Sequence, residues 1–293
     1  MRTEKPRVTD FRLLLKETAG LLSGVDSPET DASELLRFVF GVSRQDILMQ
    51  PVRNADAEKL RELRRLTQKR AEGYPLQYIL GEWDFYGNTF AVGEGVLIPR
   101  PETEQIADRL CRFLAGKKDA VVFDLCAGSG CIGLSAAVHN PDCRVFLFDI
   151  AEAALACEEK NRAALALDNV TILDYDIFSG WNLENLPEPD AIVCNPPYVT
   201  ENEYLALERE IFYEPKEAIV CRGDGLDFYR CLCEKWLPHL KDGGFFMFES
   251  GEEQPEKILA ILGHTETLDK SRYHAVCEKD LYGVRRFVSG EKR

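Results

Sequence analysis

The sequence of 293 residues has no long apolar run and no histidines or cysteines at the paired spacing of a metal site. No stretch approaches the ~18 consecutive apolar residues of a membrane span, so we expect no membrane partner. There are only four histidines, none spaced as a ligand pair. The ten cysteines include no Cys-x-x-Cys pair, and the closest two are Cys231 and Cys233. We therefore expect no metal, reduced cysteines in the core and a cytoplasmic protein.

Basic residues are fewer than acidic ones, with 36 Lys and Arg against 50 Asp and Glu, which gives a net charge of −14. Residues 1–73 are nearly balanced, at +2, whereas residues 74–293 carry −16. Nucleic-acid binders normally have a basic surface, so this distribution argues against sequence-specific nucleic-acid binding and favours a protein substrate. The one basic segment, residues 59–70, has a buried stripe of leucines. It is interpreted as a solvated helix face, with a docking patch as the alternative.

Three domains are predicted from the changes of pattern along the chain. Residues 1–73 contain about four amphipathic helices, near 11–22, 28–40, 43–48 and 56–72, and form a small bundle. Residues 74–100 have short aromatic and β-branched segments between glycines, which predicts a β-hairpin linker. Residues 101–293 alternate strands and helices, which predicts an α/β, Rossmann-like domain with a parallel sheet. Two further strands, near 273–277 and 284–288, are expected as a hairpin at one edge.

A glycine-rich turn follows the first strand of this domain, and it predicts a cofactor site. The turn reads Asp124-Leu125-Cys126-Ala127-Gly128-Ser129-Gly130, and a helix begins after it. Glycines allow close approach to a ligand, and a helix start attracts an anionic group. Asp149, at the end of the next strand, is placed to accept from ribose hydroxyls. The spacing alone also suits NAD. S-adenosylmethionine has an ammonium group, so the acidic Asp124 favours it over a pyrophosphate, which that charge would repel.

The most informative segment is Asn195-Pro196-Pro197-Tyr198, directly after the apolar run Ala191 to Cys194. The residue before a proline is extended, so the Asn195 carboxamide is held in place at the strand end. The Pro196 carbonyl is free to accept because the two prolines prevent a helix or ladder here. Two acceptors and the Tyr198 ring together suit a planar –NH₂ group. We interpret these four residues as the catalytic segment.

Several motifs in order along nearly the whole chain resemble the PrmC/HemK family. They are Pro75 to Gly81, Leu97 to Glu104, Asp124 to Gly130, Asn195 to Tyr198, Glu214-Pro215, Gly223 to Leu226, Glu249-x-Gly251-x-x-Gln254 and Asp280-x-x-Gly283-x-x-Arg286. The resemblance implies a class I S-adenosylmethionine-dependent methyltransferase that modifies the glutamine nitrogen of the Gly-Gly-Gln motif in class I peptide chain release factors. Because exposed glutamines are common, specificity must come from contacts outside the carboxamide pocket, and we predict that the helical domain recognises the substrate.

The resemblance assigns roles to residues of this chain. The loop from Cys126 to Gly130 would surround the methionine part of the cofactor, and the segment Asp176-Ile177-Phe178 would flank the adenine. Asn195 and Pro196 would hold the glutamine carboxamide. Two positions differ from the family. Cys126 replaces a glycine, so its side chain points away from the ligand if φ is negative there. Ile177 replaces an often aromatic residue, which leaves apolar packing instead of stacking.

Two other enzymes and one non-enzyme fit parts of the sequence. A DNA adenine N6-methyltransferase uses a similar Asn-Pro-Pro-aromatic turn on an –NH₂ group, but the acidic catalytic part argues against it. An NAD-dependent oxidoreductase would explain the glycine loop and Asp149 but would leave Asn195 to Tyr198 without a role. A helical adaptor with an inactive cofactor fold is the third alternative, against which the intact loop and turn argue.

Overall fold

The computed structural model describes residues 7–183 and 186–293, which divide into two compact units. The first unit contains the described residues up to Gly81 together with Arg209–Tyr213, and the second contains the rest. The predicted boundaries at residues 73 and 100 stay predictions.

The first unit has five helices and a two-stranded antiparallel sheet. Its helices are α1 (Phe11–Leu21), α2 (Pro28–Phe40), α3 (Arg44–Met49), α4 (Ala57–Ala71) and α5 (Leu76–Leu80), and its strands are β1 (Arg7–Asp10) and β2 (Val52–Ala55). The four predicted helices are all present. Gly41 ends α2 with φ +68°, and Ser43 caps α3, as local sequence predicts. The β1–β2 pair was not predicted.

The interior of the first unit contains a charged cluster. Arg70, at the end of α4, donates to Asp31 at 2.6 Å and to Glu210 at 2.6 Å. Arg70 was predicted to lie on the basic outer face of α4, and this is wrong, because two carboxylates hold it in the interior. Arg64 and Arg65 of the same helix are exposed, while Leu63 and Leu66 are buried.

The second unit begins with a hairpin and continues as a three-layer α/β domain. Its strands are β3 (Glu82–Phe85), β4 (Asn88–Ala91), β5 (Val121–Leu125), β6 (Arg144–Asp149), β7 (Val170–Asp174), β8 (Ala191–Cys194), β9 (Phe245–Glu249), β10 (Tyr273–Lys279) and β11 (Arg285–Lys292). Its helices are α6 (Glu104–Leu114), α7 (Cys131–His139), α8 (Glu152–Ala164), α9 (Glu201–Tyr204), α10 (Asp227–Cys231) and α11 (Pro255–His264).

The predicted hairpin linker is present only from Glu82 to Ala91, and α5 precedes it. The segment before the hairpin is helical because Pro75 occupies the N-cap position and Gly81 ends the helix with φ +74°. The aromatic residues of this segment suggested strand, but the caps at its two ends decided in favour of a helix.

The main sheet has seven strands in the order β10-β11-β9-β8-β5-β6-β7. Strands β5 to β9 are parallel to one another, and β10 and β11 form the expected antiparallel hairpin at one edge. Alternate residues of β5 enter opposite cores: Val122 packs with helices α6 and α7, whereas Phe123 packs with α10 and α11. Helices therefore cover both faces, and the carboxyl ends of the parallel strands meet at one edge.

Candidate active site

A cavity of about 480 Å³ opens at the carboxyl edge of the parallel strands. Most of the predicted cofactor residues lie on its wall, together with part of the catalytic segment: Cys126, Ala127, Gly128, Ser129, Asp149, Asp176, Ile177, Phe178, Asn195 and Pro197. Asp124, Gly130, Pro196 and Tyr198 are not on the wall. Open α/β sheets bind ligands at this position, because several strand ends supply loops to one crevice.

The glycine loop has a left-handed backbone at three of its positions. Gly128 and Gly130 have φ +61° and +76°, and Cys126 has φ +60°. The negative φ considered for Cys126 is therefore not found, and its side chain lies at the cavity wall and against the Cys194 side chain. A non-glycine residue in this conformation costs about 1–2 kcal/mol. A Cβ added to Gly128 would meet nothing within 4 Å, so this position opens on free space.

Asp124 lies behind the loop, fully buried. Its Oδ2 accepts from the Gly133 N–H at 2.8 Å, and its Oδ1 has no hydrogen-bond partner among the described residues. Burial, opposed by the Gly133 N–H and assisted by the charge of Asp149, raises the pKa of Asp124 to about 7. Asp124 thus anchors the start of α7 and retains one unsatisfied oxygen.

Asp149 connects the loop to the end of β6. Its Oδ2 accepts from the Gly128 N–H at 2.9 Å, and its Oδ1 accepts from Ile150 N–H at 2.8 Å and Ala151 N–H at 3.0 Å. A carboxylate has about four lone-pair positions, so capacity for a further donor remains.

The segment after β7 forms an apolar part of the wall. Asp176 caps the short turn by accepting from the Phe178 N–H at 2.9 Å, and the carbonyl of Ile177 accepts from the Trp236 indole at 2.9 Å. Ile177 is buried, whereas Phe178 is 39% exposed and makes an edge contact with Phe228. The side chains of Ile177 and Phe178 are thus available for apolar packing.

The predicted catalytic segment follows β8, where Pro196 and Pro197 are buried and Asn195 is partly exposed. Asn195 Nδ2 donates to Thr103 Oγ1 at 3.3 Å, and Thr103 Oγ1 donates to Glu249 Oε2 at 2.7 Å. The Tyr198 carbonyl accepts from Gln254 Nε2 at 2.9 Å. Burial raises the pKa of the Tyr198 phenol, so its hydroxyl stays protonated.

Several residues that hold the site were present in the sequence motifs without an assigned role. Glu214 accepts from the Ile98 N–H at 2.9 Å and pairs with Arg100, which fixes the chain before α6. Gln254 accepts from the Gly251 N–H at 2.9 Å while it holds the Tyr198 carbonyl. The only signal was their position within the motifs, because their partners are distant in sequence.

Two family models match this chain. The PrmC N-terminal domain matches residues 13–81, and the methyltransferase small domain matches residues 103–225. Together with the sheet order, the second match shows that the second unit has a class I methyltransferase fold, and this unit is called the catalytic unit below. No helix among residues 7–183 and 186–293 is long and apolar enough to cross a membrane.

The similar proteins identify the family. A release factor glutamine methyltransferase of Fusobacterium nucleatum is 33% identical over 82% of this chain and 68% of its own length. One of Geobacter sulfurreducens is 33% identical over 98% of this chain and 99% of its own. A solved protein-(glutamine-N5) methyltransferase of Alicyclobacillus acidocaldarius is 26% identical, with a TM-score of 0.42 over 70% of this chain and 99% of that one. On the basis of the two relatives, this chain belongs to the release factor glutamine methyltransferase family. The family expected from the sequence motifs is confirmed.

Proposed function

We propose that this enzyme transfers the methyl group of S-adenosylmethionine to the side-chain nitrogen of the glutamine in the Gly-Gly-Gln motif of class I release factors. The observation that supports this most directly is the Asn195 carboxamide at the cavity wall. Its Nδ2 is engaged by Thr103, and its Oδ1 accepts no hydrogen bond from any other described residue. The names of the relatives support the choice of substrate over a DNA adenine or a hydride acceptor.

The residues of the cavity fit the methyl donor. In its ionised form, which predominates above about pH 7, the buried carboxylate of Asp124 would provide negative electrostatic potential behind the loop for an ammonium group. The free space beside Gly128 accommodates the methionine part, and Asp149 has capacity for ribose hydroxyls. Ile177 and Phe178 offer apolar surface to the adenine. Because Asp124 is not on the cavity wall, it would act on the cofactor through its electrostatic potential and through its hydrogen bond to the Gly133 N–H.

When bound, S-adenosylmethionine supplies an electrophilic methyl group on a sulfonium sulfur. Asn195 Oδ1 would accept one N–H group of the substrate amide at the cavity wall. We assign the second N–H group to the carbonyl of Pro196, which is not itself on the wall but stands between the wall residues Asn195 and Pro197. The two acceptors would draw electron density toward the amide nitrogen. Tyr198, which follows the wall residue Pro197, would lie beside the amide plane. The new N–C bond replaces the C–S bond, and one amide proton passes to water. Orientation of two reactants can supply about 7–11 kcal/mol of the barrier, so no general base is required.

Substrate selection is assigned to the helical first unit. Glutamine side chains are common on protein surfaces, so the carboxamide pocket alone cannot distinguish a release factor. We expect a short Gly-Gly-Gln peptide to have a much higher KM than the whole factor, with a smaller change in kcat. Equal kcat/KM for peptide and protein would contradict this assignment. In keeping with such a substrate, we place the enzyme in the cytosol.

The direct test is mass spectrometry of a purified release factor after incubation with enzyme and S-adenosylmethionine. We expect one added methyl group, on the motif glutamine, and none when that glutamine is replaced by alanine. Asn195→Ala serves as the enzyme control, since it should bind the donor but not transfer the methyl. Methylation of another residue, or no methylation while the wild-type enzyme binds the donor, would refute the proposal.

A further inference from the structure

Three side chains from distant parts of the catalytic unit form a hydrogen-bonded chain that ends at the substrate side of the cavity. Thr103 lies in the turn before α6, Asn195 follows β8, and Glu249 ends β9. The Asn195 Nδ2 to Thr103 Oγ1 distance is 3.3 Å, and the Thr103 Oγ1 to Glu249 Oε2 distance is 2.7 Å. Strands β8 and β9 are parallel neighbours with Cys194 opposite Phe248, which brings the next residue of each strand to the same level.

The chemistry of the hydroxyl determines the direction of these bonds. Thr103 has a single hydroxyl hydrogen, and a carboxylate can only accept, so that hydrogen is donated to Glu249. Toward Asn195 the hydroxyl oxygen can then only accept. The Asn195 amide must therefore turn its –NH₂ group to Thr103 and its Oδ1 away from it. Without this constraint, a rotation of the amide by half a turn would exchange oxygen and nitrogen with almost no change of shape.

We propose that Thr103 and Glu249 are positioning residues, which orient the Asn195 carboxamide so that its oxygen, and not its –NH₂ group, faces the substrate amide. This inference rests on the proposed function of Asn195. An inverted amide would present N–H to the N–H of the substrate and repel it. Thr103 and Glu249 take no part in bond making.

The surroundings of Glu249 support this role. Thr103 and Glu249 are both almost fully buried, at 2% and 1% exposure. The Tyr229 hydroxyl donates to the Glu249 carbonyl at 2.7 Å and fixes the end of the strand. A buried carboxylate is costly unless it receives hydrogen bonds, and the Thr103 hydroxyl supplies one.

Protonation of Glu249 would reverse the chain. Burial raises the pKa of Glu249 to about 7, assisted by Glu102 and opposed by the Thr103 hydroxyl and by Arg286 and Arg100. Below that pH the carboxyl group donates a hydrogen bond to Thr103, and the Thr103 hydroxyl is then free to donate to Asn195. This favours the Asn195 amide turned by half a turn, with Oδ1 toward Thr103 and the –NH₂ group toward the substrate. We therefore expect kcat to fall as the pH drops through about 7 and this fall to be smaller in Glu249→Gln, in which Asp124 still titrates in this range but position 249 does not.

The test compares Thr103→Val with Thr103→Ser. Valine keeps the shape and removes the hydroxyl, whereas serine restores it. We expect Thr103→Val to lower kcat about 10- to 100-fold, with donor affinity within about twofold of wild type, and Thr103→Ser to recover most of the loss. Thr265→Val is the matched control, because Thr265 lies in the same unit as Thr103 but is not on the cavity wall, and its hydroxyl donates to the Ile261 carbonyl at 2.8 Å.

A second measurement does not depend on the substrate. The side-chain ¹⁵N–¹H signals of Asn195, assigned with Asn195→Ala, should shift and exchange faster in Thr103→Val but not in Thr103→Ser or Thr265→Val. If the wild-type enzyme methylates nothing but these signals respond as described, the proposed function fails and the orienting chain remains. If Thr103→Val is folded with unchanged kcat and unchanged Asn195 signals, the inference is overturned. Should Thr103→Val not fold, the inference is overturned if kcat of Glu249→Gln falls with decreasing pH in the same way as kcat of the wild type.

Discussion

A buried glutamate on α8 provides a quantitative prediction about stability. Glu158 is fully buried, and neither carboxyl oxygen has a hydrogen-bond partner among the described residues. Burial, with the charges of Asp149 and Asp124 nearby, raises the pKa of Glu158 to about 9 from an ordinary value of 4.5. The group is therefore protonated in the folded protein at neutral pH, whereas it is ionised in the unfolded chain.

The sign and size of the effect follow from proton linkage. Between the two pKa values the folded state holds a proton that the unfolded state has lost, so the free energy of unfolding decreases as the pH rises. Each pH unit costs up to about 1.4 kcal/mol, which amounts to about 3 kcal/mol at pH 7. Glu158→Gln keeps the shape and removes the titration. We expect it to equal wild type near pH 5 and to be more stable by a few kcal/mol at pH 8.

The assay is urea unfolding followed by tryptophan fluorescence from about pH 5 to about pH 9. Trp83, Trp181 and Trp236 all belong to the catalytic unit, so the signal reports the unit that contains Glu158. Glu159→Gln is the control: Glu159 is exposed and pairs with Arg162, so its pH dependence should match wild type. If the curves for Glu158→Gln and wild type run parallel over this range, the reasoning is refuted.

Three further predictions concern catalysis, the cofactor loop and the helical unit. Asn195→Ala should lower kcat about 100-fold or more with donor affinity nearly unchanged, and normal turnover would rule out the proposed role of the Asn195 carboxamide. Cys126→Gly removes the strain of φ +60° but gives the unfolded chain more conformational freedom. We therefore expect thermal unfolding to show that the free energy of unfolding of Cys126→Gly is higher than that of wild type by about 0 to 1 kcal/mol. Cys126→Val should lower the free energy of unfolding. Arg70→Ala leaves Asp31 buried without its partner and should cost about 3–5 kcal/mol in urea unfolding followed by circular dichroism. The exposed Arg64→Ala is its control, and equal losses in the two variants would show that the Asp31 pair contributes nothing.

The family relationship has a consequence for the alternatives that the sequence left open. The turn after β8 suits any –NH₂ group and by itself does not separate a glutamine from an adenine. The relatives of this chain are named for glutamine methylation, and the strongly acidic catalytic part is consistent with a protein substrate. The glycine loop alone would have admitted a nicotinamide cofactor, but a methyltransferase domain matches the region that contains it.

Local patterns were enough to predict most of the elements. Helix α2 follows from its apolar spacing between Pro28 and Gly41, and the buried strands β5 and β8 follow from short apolar runs before polar turns. These signals depend on residues within a few positions of one another, so they can be read along the chain. For the same reason, the glycine loop and the segment from Asn195 to Tyr198 were recognisable at the ends of strands.

Contacts between distant residues were decided only by the tertiary structure. The β1–β2 pair joins strands more than forty residues apart, and each is too short to be recognised alone. Thr103 and Glu249 meet only because the sheet places the end of β9 beside the turn before α6. The left-handed backbone at Cys126 and the unpartnered carboxyl of Glu158 likewise depend on what packs around them. Sequence determined most of the helices and strands and pointed to the segment from Asn195 to Tyr198, because periodicity and caps act locally. The folded chain alone determined which groups are buried together, because burial and hydrogen-bond partners are properties of the assembled core.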